Sequence, residues 1–208
     1  MLYCFAQNKL KINCEISTYS DEELIFACAW FLVSDISSVN IKCQTNSFDK
    51  YSACLNSIGV KGEYSETGLT LSKKQIVNDD ILQIDFKNAI ELALPSAIVL
   101  AAWGVQADLK GLEQIKEMLP VFQRELYGFN INTDFCDYSK LKIYNDKKIV
   151  LKRKPVNTRN NYLSLCFIPL AAVFGNVEIE VNEDFFEKYK WLHPLLSVLQ
   201  ITAQKINS

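Results

Sequence analysis

Leu163–Val181 reads LSLCFIPLAAVFGNVEIEV. Apolar residues fill almost every position up to Phe174, Gly175 interrupts the run, and Val177, Ile179 and Val181 then alternate with Asn176, Glu178 and Glu180. A helix apolar on nearly all sides has to be enclosed by protein. Alternation with period two predicts a half-buried strand. The same order recurs in SDEELIFACAWFLVSDISSVNIKC (Ser20–Cys43) and in FKNAIELALPSAIVLAAWGVQADLKG (Phe86–Gly111). Each stretch starts polar, runs through an apolar helix and ends in a short strand, predicted at Val39–Cys43, Ala107–Lys110 and Val177–Val181.

A second, more amphipathic helical segment follows each strand: SFDKYSACLNSIGV from Ser47, GLEQIKEMLPVFQRELYGF from Gly111, and DFFEKYKWLHPLLSVLQI from Asp184. Ser47 reads as an N-cap and Gly59 as a stop, while Gly111 and Gly128 bracket the second segment. VKGEYSETGLTLSK and FNINTDFCDYSKLKIYN read as hairpins turning at Thr67–Gly68 and Tyr138–Ser139. Repetition at this period points to one fold built from similar units. The expectation is a single α/β lobe spanning 1–208, with three pseudo-threefold strand-helix-strand-helix-hairpin units near 10–75, 80–145 and 147–202. Buried helices lie inside and mixed sheets outside.

The bulk properties exclude several classes. Hydrophobic residues make up 49% and charged residues 22% of the chain, and the formal net charge is −2. That charge offers no general field for nucleic acid or an anionic membrane. Seven cysteines without a C-x-x-C pair read as reduced thiols in a cytoplasmic protein, with no metal site. The N-terminal residues show no signal-peptide pattern, and Glu91 and Pro95 interrupt the longest apolar run. Dinucleotide-binding glycine motifs, phosphate-binding loops, H-E-x-x-H and G-x-S-x-G are all missing. The Asp79–Asp80 pair reads as a turn, and KKIVLKRKP from Lys147 reads as a solvated strand face. His193 has no sequence partner for catalysis and reads as a packing residue.

CFIPLAAVFGNVEIEV, DFKNAIELALPSAIVLAAWGVQADLKGLE and SIGVKGEYSETGLTLSK resemble segments of the enolpyruvyl transferases, specifically the 5-enolpyruvylshikimate-3-phosphate synthase family. The corresponding family patterns are F-A-P-L-A plus strand, D-F-x-x-x-P-D-x-A-Q-T running to G-L, and an L-G-V hairpin. The resemblance covers roughly residues 10 to 200 and corresponds to the C-terminal lobe only. It implies a fold in which three such units make one lobe and two lobes close around shikimate 3-phosphate and phosphoenolpyruvate, in aromatic amino acid biosynthesis. No cofactor is implied.

Transfer between two polyanions requires several fixed cations, preferably arginines, and groups that move protons. The resemblance places Glu91 at the family's catalytic aspartate, with Leu94 and Pro95 at its Gln and Thr. Lys116 and Glu117 match the start of the K-E-T-D-R motif, whose remainder reads Met118, Leu119 and Pro120. Asn160, Asn161 and Tyr162 stand at D-H-R, with Arg159 close by as a substitute cation. Lys188 and Tyr189 approximate S-K-S-Y-P. Arginine occurs only at Arg124, Arg153 and Arg159, a thin supply for holding two polyanions. The expectation is a non-catalytic relative acting as an interaction or ligand-binding module, either as a homodimer or with a separately encoded partner lobe. A phosphorylated small molecule is its expected ligand class. The alternative is one chain of a split transferase, using Glu91 for proton transfer and Lys188, Arg159 and Lys116 for anions.

Overall fold

The computed structural model of the chain describes residues 2–6, 13–18, 20–34, 37–43, 48–66, 68–74, 81–137, 139–144, 150, 155–198 and 201–205. Ser47, Thr67, Tyr138, the Asp79–Asp80 pair and most of the Lys147–Pro155 run lie outside the described residues.

After β1 (Leu2–Ala6), the chain forms β2 (Asn13–Thr18), α1 (Asp21–Val33), β3 (Ser38–Cys43), α2 (Phe48–Ser57), β4 (Val60–Ser65) and β5 (Gly68–Lys73). Strands β2 and β3 run parallel, with α1 between them in the chain, while β5 pairs antiparallel with both β3 and β4. The sheet order is β2-β3-β5-β4. Ser20 caps α1 by accepting from the Glu23 amide at 3.3 Å, and Asp21, Glu22 and Glu23 occupy the first turn. Acids there offset the positive helix end. From Leu24 to Leu32 every residue of α1 is buried, as its uninterrupted apolar sequence requires.

The next stretch repeats this connectivity with β6 (Leu82–Asp85), a 3-10 turn at Ile90–Leu92, α3 (Ala93–Ala102), β7 (Ala107–Lys110), a second 3-10 turn at Glu113–Ile115, α4 (Leu119–Gly128), β8 (Asn132–Cys136) and β9 (Lys140–Tyr144). The sheet order is β6-β7-β9-β8, with β6 and β7 parallel and the other pairs antiparallel. Pro95 lies in the first turn of α3, where an absent N–H breaks no helical bond. The continuous helix expected from Gly111 to Phe129 is broken instead. Pro120 lies at the start of α4 and disfavours a helical residue before it, so the chain passes through the 3-10 turn before the longer helix begins.

The last stretch contains α5 (Asn161–Phe167), α6 (Leu170–Phe174), β10 (Asn176–Ile179), α7 (Phe185–Lys188), α8 (Leu192–Val198) and β11 (Ile201–Lys205). The segment from Asp184 to Ile201 is thus two short helices, and Ile201 already belongs to a strand. Among the described residues no hairpin follows β10. Its place is taken by the two ends of the protein, for β1 pairs antiparallel with both β10 and β11 in the order β10-β1-β11. Val156 adds a parallel bridge to Ile179. The resulting spatial order matches the other two sheets, with β1 in the position of β5 and β9.

Helix α1 packs on α3, and α3 packs on α5. Around them Phe26, Trp30, Phe31, Leu100, Phe122, Leu165 and Phe167 are essentially inaccessible, each worth roughly 1.5–3 kcal/mol of burial. Phe26 lies 5.2 Å from Trp30 one turn along α1, and rings also meet from distant parts of the chain: Phe26 lies 5.8 Å from Trp191, while Phe167 lies 5.5 Å from Phe122 and 6.1 Å from Phe129.

Candidate functional site

The starts of the packed helices meet at one cavity of ≈ 270 Å³. Asp21, Glu22, Ile25 and Phe26 reach it from α1, Tyr51 from α2, Glu91 from the 3-10 turn before α3, and Tyr162 from the first turn of α5. Ile25, Phe26 and Tyr51 are buried, whereas the Glu91 side chain is 46% exposed. The cavity therefore has an apolar and aromatic inner wall and a carboxylate-bearing outer wall.

Several contacts shape it. Tyr162 donates its hydroxyl to the Glu91 carbonyl oxygen at 2.7 Å, and its ring stands edge-on to Phe26 at 5.7 Å. Lys50 donates to Tyr51 Oη at 2.9 Å and to Glu91 Oε1 at 3.2 Å, with Nζ 4.7 Å from the Tyr51 ring centre. Its hydrogen bond with Tyr51 holds the lysine pKa above its ordinary value, aided by Glu91. Burial raises the Glu22 carboxyl, Lys188 pulls it back down, and Glu23 pushes it up again. Burial also drives the Tyr162 hydroxyl well up and the Tyr189 hydroxyl to about 12, so neither phenol ionises at neutral pH.

A second cavity, of ≈ 580 Å³, lies between α4 and the 155–159 segment and contains Arg124, Arg159, Glu125 and Glu180 among its lining residues. Glu125 is buried and accepts from Asn157 N at 3.2 Å and Arg124 Nε at 3.0 Å, while Arg124 Nη2 donates to Asn157 O at 2.7 Å. Two arginines here face two glutamates. Arg159 adopts φ 54°, on a loop fixed by Thr158 Oγ1, which accepts from Asn160 N, and by Asn160 Oδ1, which caps α5 through Leu163 N.

The residues singled out from the sequence are therefore dispersed. Glu91 lines the first cavity, and Lys188, exposed at the end of α7, acts on that cavity's Glu22 through its charge. Arg159 belongs to the second cavity. Lys116 and Glu117 are exposed on the turn before α4 and line neither cavity. His193 stacks on Phe186 at 4.9 Å, but at the surface rather than in the core. Asp21, Glu22, Lys50 and Tyr51 escaped the sequence reading, although comparing the three helix starts would have aligned Asp21–Glu23 with Glu91 and Tyr162.

Among the described residues, no group of three or more His, Cys, Asp or Glu side chains could hold a metal ion. No described helix is long and apolar enough to cross a membrane. Cys28, Cys54, Cys136 and Cys166 are in no disulfide.

No protein-family model matches the chain, and no curated protein matches its sequence. Solved structures do match its shape. EPSP synthase from Acinetobacter baumannii superposes with a TM-score of 0.55 at 10% identity, covering 90% of this chain and 46% of that one. The fold is enolpyruvyl-transferase-like. The enolpyruvyl transferase NikO from Streptomyces tendae gives a TM-score of 0.45 at 13% identity, over 82% of this chain and 40% of that one. The chain thus spans less than half the length of these enzymes. Mixed sheets around buried helices are the architecture expected from the repeated sequence grammar, and the enolpyruvyl-transferase-like fold is the one that the family resemblance implied.

Proposed function

We propose that this protein is a non-catalytic, single-lobe relative of 3-phosphoshikimate 1-carboxyvinyltransferase that serves as a ligand-binding or interaction module. In this reading the lobe consists of three equivalent units, works in the cytoplasm, and uses the face where α1, α3 and α5 begin. The observation that carries it is the lining of the ≈ 270 Å³ cavity: three carboxylates, Asp21, Glu22 and Glu91, with no arginine. A phosphate held 4 Å from one carboxylate meets roughly 4 kcal/mol of repulsion at an effective dielectric constant of 20. Arg124 and Arg159 line the ≈ 580 Å³ cavity, where glutamates oppose them, Arg124 also borders a third cavity beside Asp134, and Arg153 lies outside the described residues.

Phosphate release from phosphoenolpyruvate and shikimate 3-phosphate, measured at high protein concentration, tests this. No turnover is expected from folded protein. Turnover that disappears in Glu91→Ala overturns the proposal.

A second reading draws on the half-length match to EPSP synthase. Another chain, or a second copy, supplies the other lobe, and the pair transfers enolpyruvate. Glu91 then moves protons, Lys188 holds an anion, and Lys116, Glu117 and Arg159 must be drawn in from outside the cavity. Measuring mass in solution with and without shikimate 3-phosphate separates the two: a ligand-dependent dimer favours the second.

A further inference from the structure

We propose that the cavity between α1, α2 and the start of α5 binds a small organic cation: a primary ammonium carried on an apolar body. The proposal deepens the ligand-binding reading above and rests on it. Three independent features of the cavity converge on this chemistry.

The first is shape and wall. Phe26, Ile25, Tyr51 and Tyr162 give the enclosed side an apolar and aromatic surface, which stabilises a hydrocarbon body by burial and a cation through ring faces. At ≈ 270 Å³ the volume falls just under the range of about 300–1,000 Å³ typical of drug-sized ligands, so a small amine fits and a nucleotide does not.

The second is an ammonium already held there. Lys50 Nζ sits over the Tyr51 ring at 4.7 Å while bonding to Tyr51 Oη and Glu91 Oε1. A ring face plus a carboxylate is thus a cation-holding pair within the folded chain itself. The Lys50 side chain is 50% exposed, so it can swing into solvent when another cation arrives.

The third is Glu22. This half-buried carboxylate lines the cavity beside Phe26 and has no hydrogen-bond partner among the described residues. A carboxylate partly removed from water and lacking a donor gains most from an ammonium that supplies both charge and N–H groups. Lys188, the cation that acts on it, reaches it electrostatically while lying 5.3 Å from the Tyr189 ring. An anion in the same position meets Asp21 and Glu22, together with a Glu91 whose charge Lys50 offsets only while it stays bound, so the carboxylate lining favours a cation.

Isothermal titration calorimetry with phenethylammonium chloride tests this, with 2-phenylethanol as the neutral counterpart and inorganic phosphate as the anion. The expected result is saturable binding of the amine, at least tenfold tighter than the alcohol, with no phosphate binding. Glu22→Gln, whose circular dichroism should match the parent, weakens the amine at least tenfold. Glu91→Gln, at an exposed position, weakens it several-fold, and Lys50→Ala tightens it by removing the resident competitor. No amine binding, equal affinity for amine and alcohol, or unchanged affinity in Glu22→Gln overturns the inference. If the amine fails while phosphoenolpyruvate turnover is also absent, the non-catalytic reading stands and only the cation site falls. Phosphate binding that displaces the amine, joined with turnover, removes both.

Discussion

Tyr162 reaches across 71 residues of sequence to donate its hydroxyl to the Glu91 carbonyl oxygen at 2.7 Å. The resemblance to the synthase family puts the arginine of D-H-R at position 162 and the catalytic aspartate at position 91. Here a phenol and a backbone carbonyl meet instead, and the bond ties the start of α5 to the turn that leads into α3.

Tyr162→Phe removes that donor and keeps the ring against Phe26. Stability should fall by about 1 kcal/mol, the usual net value of one such bond. The urea midpoint should drop at unchanged slope, and an unaltered midpoint would show that the bond contributes nothing.

Glu22 makes the stability of the lobe depend on pH in the unusual direction. Its folded pKa is raised, chiefly by burial, so folding disfavours the ionised form. The cost is fully present above the folded pKa, shrinks as pH falls through it, and vanishes below about 4, where both states hold the proton. Glu22→Gln should therefore raise the melting temperature at pH 7 and leave it unchanged near pH 3.5. An equal gain at both values would point to a cause other than ionisation.

Gly111 has φ 76°, and a Cβ there would lie 2.5 Å from the Lys87 backbone nitrogen. The left-handed conformation alone costs an L-residue about 1–2 kcal/mol, and backbone on the opposing side cannot yield cheaply. Gly111→Ala should lose at least that much in chemical denaturation. Retention of parental stability would mean that the turn between β7 and the second 3-10 turn readily adopts another path.

Deleting residues 1–6 takes away the central strand of the β10-β1-β11 sheet. Two strand edges are then left without their ladders, a state prone to association. The truncated chain should aggregate on size-exclusion chromatography and lose strand signal by circular dichroism. A stable monomer with native spectra would show that the sheet survives without its middle member.

Much of the architecture was legible because burial is written into local pattern. The apolar runs of α1 and α3 marked helices closed off from water, and alternation located β7 at Ala107–Lys110. Pro120 breaks the segment that starts at Gly111, and the helical periodicity on either side of it hides that break from a local pattern. The third hairpin could not be read because its strands, Leu2–Ala6 and Ile201–Lys205, come from opposite ends of the chain. No local signal pairs them.

By itself the sequence determined which segments must be buried, how often the pattern recurs, and how few arginines there are to hold anions. Those are properties of neighbours along the chain. Only the tertiary structure decided that Glu22, Glu91 and Tyr162 share one cavity, that Arg159 faces another, and that Lys116 and Glu117 stay outside both. Each position is set by helices packing across long sequence separations, where side-chain volume and the direction of a helix start, rather than local propensity, choose which groups meet.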